Sequence, residues 1–228
     1  MTGRTRAKHL SSLIQNLVDG DMTKWEEKLR KLLPTLPVVF DVTIEPEFLG
    51  EPVIKQTDDM WYNAVGGSTP TQDTIKITID DRIRLTDEEL LVQLKETYFH
   101  EVYHLARGYS FESKNLTLLD VAVEEGLATK FEMETTGSDP WYAMHKDRKT
   151  MLKVLAEVLQ ADKLPGPKDW QKWKFYDKET DRYWILYRLG AFLIEDVIRS
   201  KNVNTVNLVR KTCKEILAMT SRDVQALL

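Results

Sequence analysis

The chain is poor in several residue types that build or bridge sites. It has one cysteine among 228 residues. That excludes an internal disulfide framework, a multi-cysteine zinc finger and an iron–sulfur cluster. It has no continuous run of the ~18–20 apolar residues needed to span a bilayer. Positive charge is not in excess. The 32 Lys and Arg stand against 36 Asp and Glu, a formal net charge of −4, so the electrostatic footprint of a nucleic-acid binder is missing. Residues 1–21 include basic side chains but no uninterrupted apolar core and no small-residue cleavage site. They read as an amphipathic helix rather than a signal peptide, and the expected location is cytoplasmic. Histidine is scarce too, with four in all: His9, His100, His104 and His145. Two of these sit four residues apart.

What is present is ordinary globular composition, 42% hydrophobic and 30% charged. No internal repeat or low-complexity tract divides it, so a single domain over 1–228 is expected. Its parts are N-terminal helices and sheet (1–85), a central helical pair (86–135) and a helical C-terminal part (136–228). Leu10, Leu13, Ile14 and Leu17, then Trp25, Leu29 and Leu32, recur at helical spacing. Asp19-Gly20-Asp21 is expected to break that stretch into two helices. Strands are expected at Val38–Ile44, Asp59–Val65 and Thr74–Asp80, with Gly66-Gly67 as a turn. The last alternates cleanly, Ile75, Ile77 and Ile79 against Thr74, Lys76 and Thr78, which suits a small, mostly antiparallel sheet with one buried face.

A helix should start at Thr86, which forms a Thr-x-x-Glu capping box with Glu89, and end at Gly108. A second should run from about Leu116 to Glu134. Two or three more are expected, near 141–161, 181–200 and from 204 onward. Helices, then strands, then helices reads as α+β.

The first central helix contains His100-Glu101-Val102-Tyr103-His104, the pattern H-E-x-x-H. Residues i and i+4 share a helix face about one turn apart, so two imidazoles there can reach one Zn²⁺. Glu101, ~100° round the helix, can approach a water at the metal without ligating it. Chance produces the pattern about once in 200 such chains, but a strongly predicted helix with its apolar stripe on another face raises its weight. A catalytic zinc takes a third protein ligand and leaves the fourth position to water. On the next helix Glu125 shares its face with Leu118, Val121, Ala122 and Ala128, where an unpaired carboxylate is costly. Glu124 is the other candidate, pointing ~100° away toward the helix edge. Gly126 reads as a place where the two central helices approach closely. A glutamate placed to act as base, with no fourth protein ligand in view, favours catalysis over a structural zinc. The composition alone leaves open a non-catalytic zinc protein, or a zinc hydrolase acting on other amides.

H-E-x-x-H followed by Glu125-Gly126-Leu127-Ala128 resembles the gluzincin metallopeptidases. More narrowly it resembles a bacterial family of predicted zinc-dependent proteases. Further matching features are Asn63-x-x-Gly-Gly-Ser-Thr69, the strand Ile75–Asp80, Thr117-Leu118-Leu119-Asp120 and Tyr187-x-x-Gly190. The resemblance covers about residues 25–220. It implies a zincin-like α+β fold, Zn²⁺ on His100, His104 and Glu125, and Glu101 as general base in peptide hydrolysis. It also implies an oxyanion donor, with Tyr187 the first choice and Tyr183 the second. The partner is then a peptide or protein substrate, which in such enzymes pairs with a sheet edge, here expected at Thr74–Asp80. Two features depart from the pattern. Thr129 stands where the histidine-orienting Asp of Glu-x-x-x-Asp falls, leaving Asp120, Glu124 or a carbonyl for that task. Tyr103 stands where a histidine often precedes the last one. Cys213, flanked by basic residues with no activating pair, reads as inert. The aromatic cluster Trp170, Trp173, Phe175, Tyr176, Tyr183 and Trp184 reads as core, with a lid or substrate pocket as the alternative.

Overall fold

The computed structural model describes residues 3–46, 64–80, 85–109, 116–145, 147–164 and 169–228. Helices α1 (Gly3–Asn16) and α2 (Met22–Leu32) lead into strands β1 (Asp41–Pro46), β2 (Val65–Thr71) and β3 (Thr74–Ile79). The central helices are α3 (Asp87–Arg107) and α4 (Leu118–Thr136). Then come α5 (Arg148–Lys163), α6 (Trp170–Lys174), the short hairpin β4 (Tyr176–Asp177) and β5 (Arg182–Tyr183), and α7 (Ile185–Lys201). Three short helices follow: α8 (Thr205–Leu208), α9 (Cys213–Leu217) and α10 (Arg222–Gln225). The class is α+β, mostly helical with a small mixed sheet.

Several elements differ from the pattern reading. Asp19-Gly20-Asp21 does not break the first helical stretch; a π turn over Leu17–Asp21 carries α1 into α2. The extra residue is absorbed by widening the helix rather than by ending it. Val38 and Val39 stand outside the sheet, 87% and 77% exposed, so β1 starts later than their β-branching suggests. The strand expected over Asp59–Val65 falls largely outside the described residues, as does Asn63. Gly66 and Gly67 are no turn; they lie inside β2. Residues 182 and 183 belong to β5 rather than to a helix, and the last long helix expected from 204 is three short ones.

The sheet order is β1-β3-β2, with β3 parallel to β1 and antiparallel to β2. Alternation reveals which face of a strand is buried, but it does not reveal the direction of the neighbouring strand. Ile75, Ile77 and Ile79 are all buried as expected, and β3 is central. It therefore cannot be the open edge that the sequence suggested for a substrate.

The two central helices form as their termini dictate. Thr86 and Thr117 each accept a hydrogen bond from the third helical amide, and Glu89 and Asp120 return the bond. Each box satisfies two otherwise orphan amides. Gly108 and Gly137 close the helices in the left-handed conformation. Helix α4 packs hard against α7. A Cβ on Gly126 would lie 2.5 Å from Gly190 Cα, and one on Gly190 would lie 2.7 Å from Gly126 N and 2.8 Å from Gly126 Cα. Gly126 thus serves the contact of α4 with α7, not the contact with α3 that the sequence suggested. It also explains Gly190 of the Tyr187-x-x-Gly190 motif as its partner.

A long-range stitch binds both central helices to the chain's last third. Arg107 donates to both oxygens of Glu124 at 2.6 Å, and to the carbonyls of Leu208 and Val209 at 3.0 and 3.1 Å. The Tyr103 hydroxyl donates to the Thr205 carbonyl at 2.8 Å. Among the described residues no helix is long and apolar enough to cross a membrane.

Candidate metal centre

Helix α3 presents His100 and His104 one turn apart, and α4 presents Glu125 to both. The two Nε2 atoms lie 3.2 Å from each other. Glu125 Oε2 lies 3.3 Å from His100 Nε2 and 3.5 Å from His104 Nε2. One ligand atom from each of the three residues falls within 4.8 Å of the others, and all three side chains are buried. The structure thus brings Glu125 into the cluster, while Glu124 is buried on Arg107.

The donor set fits a zinc ion. Two imidazole nitrogens and one carboxylate oxygen are among its usual ligands, and three of them leave a position open. The electrostatics agree. Glu101, Glu125 and Glu132 bring three formal negative charges to this buried region, against one positive charge from Lys174. Burial opposes a charge on His100, yet its bonds with Glu125 and Glu132, helped by Glu101, push its pKa up to about 10. Burial likewise works against an ionised Glu125, but Lys174 and then the two histidines hold it well below the ordinary carboxylate range. A site that draws a proton this strongly onto an imidazole suits a cation.

The surrounding groups orient the cluster. His100 Nδ1 lies 3.2 Å from Glu132 Oε2, which also accepts a 2.7 Å bond from the Tyr142 hydroxyl. The Ser138 hydroxyl donates to the other Glu132 oxygen at 3.3 Å. Fixing Nδ1 in this way leaves Nε2 facing Glu125. Neither Asp120 nor Glu124 does this work: Asp120 caps α4 and Glu124 holds Arg107. Sequence reading missed Glu132, although it lies two turns beyond Glu125 on the same helix face. On Glu125, Lys174 Nζ takes Oε1 at 2.7 Å, so the two oxygens serve different partners. Nothing in the sequence links Lys174, at the end of α6, to a residue 49 positions earlier.

Glu101 is held by the sheet. The Thr69 hydroxyl donates to Glu101 Oε2 at 2.8 Å and lies 3.2 Å from the Glu101 carbonyl. Gly67 leaves room for the same side chain, since a Cβ there would lie 2.6 Å from Glu101 Cγ and 2.7 Å from Oε1. These contacts give the Gly-Gly-Ser-Thr motif a physical meaning. A glycine inside a strand marks a close approach, and here the approaching group is Glu101.

The two tyrosines separate. The Tyr187 ring lies 6.3 Å from that of His100. Burial, then the charges of Glu125 and Glu101, push the Tyr187 hydroxyl's pKa well up. Tyr183 instead stacks on Tyr176 at 4.4 Å in the β4–β5 hairpin, with its hydroxyl toward Asp181. Tyr109, also missed, packs its ring 4.8 Å from His104, and its buried hydroxyl has no partner among the described residues. Cys213 sits 3.2 Å from Glu124, and burial pushes its thiol up, as expected of an unreactive cysteine.

A helix-borne histidine pair, a glutamate from the adjoining helix and a second carboxylate beside them, on an α+β frame, are the features of the H-E-x-x-H class of candidate metal centres. The chain belongs to the family described as Predicted Zn-dependent protease (DUF2268), whose model matches residues 41–218. That span runs from β1 through α9 and takes in every side chain of the cluster. No curated protein and no solved structure matches the chain significantly.

Proposed function

We propose that the chain is a zinc-dependent peptidase of the gluzincin type. The observation that carries this reading is the buried convergence of His100 Nε2, His104 Nε2 and Glu125 Oε2 within 4.8 Å, with Glu101 fixed beside them by Thr69. His100, His104 and Glu125 would hold the ion, which when bound supplies Lewis acidity toward a carbonyl and lowers the pKa of water. Glu101 accepts a proton from the attacking water and returns it to the leaving amine. The Tyr187 hydroxyl donates to the oxygen that gains charge, where a fixed donor is worth more than in bulk water. Glu132 holds His100 in the ligating tautomer, and Lys174 restrains Glu125.

The peptide seat moves from β3 to β2. In the described sheet β2 pairs only with β3 and forms the edge beside Glu101. A peptide added along that edge would bring a scissile bond to the base.

The test is metal analysis of the wild type and His104→Ala, with peptide-library turnover by the wild type and Glu101→Gln. Stoichiometric zinc, lost in His104→Ala, and turnover lost in Glu101→Gln are expected. Full zinc with no Glu101-dependent turnover of any peptide overturns the peptidase reading. Retention of zinc by His104→Ala overturns the site.

A further inference from the structure

Beside Tyr187 lies a second cluster that the proposed reaction does not use. Trp184, the residue before α7, packs its ring 5.1 Å from Tyr187, 5.8 Å from Trp141 and 5.5 Å from Phe175. Arg188 follows one helical turn later, its amide bonded to the Trp184 carbonyl at 3.0 Å. That four-residue spacing sets Arg188 on the part of α7 next to Trp184.

Three donors here have no acceptor among the described residues: Trp141 Nε1, Trp184 Nε1 and Arg188 Nε. Arg188 also has no carboxylate among the described residues. Burial alone acts on its guanidinium, and it pushes the pKa below the ordinary value. Arginine is seldom withdrawn from water without a counter-ion, and each unmet buried donor is a further cost. All three groups can only donate. What satisfies them must be an acceptor, and the guanidinium requires it to be anionic. A planar carboxylate meets both conditions and matches the guanidinium fork.

We propose that Trp141, Trp184 and Arg188 form a carboxylate-binding subsite next to the metal centre, which takes the anionic group of a peptide lying across it. The identification of that peptide as substrate rests on the peptidase reading; the binding itself does not. Trp184 touches Tyr187, which touches His100, so the subsite lies within a short peptide's reach of the centre. The three residues are each only partly buried, while the three nitrogens are closed off from water. A carboxylate therefore reaches them through a shift of the cluster's side chains, which breaks no hydrogen bond of either indole. The Trp184 backbone sits in the left-handed region, φ 55° and ψ 41°, which a bulky residue adopts only at a cost.

The test is NMR of the ¹⁵N-labelled, zinc-supplemented full chain. The six tryptophans give six indole N–H signals, of which Trp141→Phe and Trp184→Phe assign two. Three probes are titrated: N-acetyl-alanyl-leucine, its C-terminal amide, and N-acetyl-glutamyl-leucinamide. The two assigned signals should move with a carboxylate probe and not with the neutral amide. A response to the first probe identifies a terminal carboxylate, and a response to the third an acidic side chain. Arg188→Met should weaken the response roughly ten- to a hundredfold. Equal shifts with the neutral amide, no shift with either carboxylate, or an unchanged titration in Arg188→Met overturns the subsite. If Arg188→Met does not fold, the comparison of carboxylate with amide in the wild type decides. Glu101→Gln should keep these shifts. Shifts without Glu101-dependent turnover overturn the peptidase reading alone; such turnover without shifts overturns the subsite alone.

Discussion

Replacing Gly126 by alanine tests whether the α4–α7 contact positions the metal centre. The new methyl would lie 2.5 Å from Gly190 Cα, with that residue's carbonyl closer still. Ordinary packing needs about 3.4 Å or more, so the helices must part by about 1 Å. No flexible side chain can give way, because the obstacle is backbone. Overpacking of a tight core costs about 1–3 kcal/mol, occasionally more. With two rigid helices involved, about 3 kcal/mol is the reasonable value, against a typical total of ~5–15 kcal/mol. At a urea slope of ~3 kcal/mol/M the midpoint falls by roughly 1 M. Glu125 is the preceding residue and Tyr187 lies one turn before Gly190, so zinc affinity should drop as well. The assay is urea unfolding with chelator competition, beside Gly20→Ala, where a Cβ meets nothing within 4 Å. If Gly126→Ala unfolds at the same midpoint as Gly20→Ala and binds zinc as the wild type does, the contact does not position the centre.

Two further outcomes follow from the same geometry. Glu132→Gln removes the charge facing His100 Nδ1 and should weaken zinc binding about ten- to a hundredfold by chelator competition; an unchanged affinity would refute the orienting role. Burial, then Glu132, push the Glu96 pKa up to about 7. A raised carboxylate means that the folded state holds its proton more tightly than the unfolded chain does. Stability from this group is therefore present below its ordinary range, near pH 4.5, and lost as pH rises through about 7. Glu96→Gln should match the wild type at pH 4 in urea unfolding and exceed it at pH 8. The gain is about 1–2 kcal/mol once screening of a partly buried group is allowed for. An equal difference at both pH values would count against this account.

How far the sequence reads depends on how local each feature is. The Thr86–Glu89 capping box, Gly108 and the four-residue histidine spacing are local, and the structure repeats them. The Ile75–Ile77–Ile79 face was legible because burial follows alternation. The neighbours of β3 were not, because pairing direction is decided by chain outside the strand. Glu132 was readable in principle as a helical repeat of Glu125, but it was hidden by the expectation of a partner at Thr129. Thr69 stood in a motif whose meaning appears only once β2 crosses α3. Lys174 and Arg188 gave no signal at all, since one depends on a distant loop and the other on a missing acceptor.

The stitch through Arg107 and Tyr103 bears on the order in which the molecule assembles. His100 and Glu125 are close in sequence, so the cluster itself closes a short loop. Its frame does not, because Arg107 and Tyr103 wait for carbonyls about a hundred positions later. Contacts of such separation form late and slowly. During synthesis α3 and α4 can therefore emerge and pair while the carboxylate–histidine set is still loose. The frame of the centre is complete only once residues 205–209 have closed over Tyr103 and Arg107.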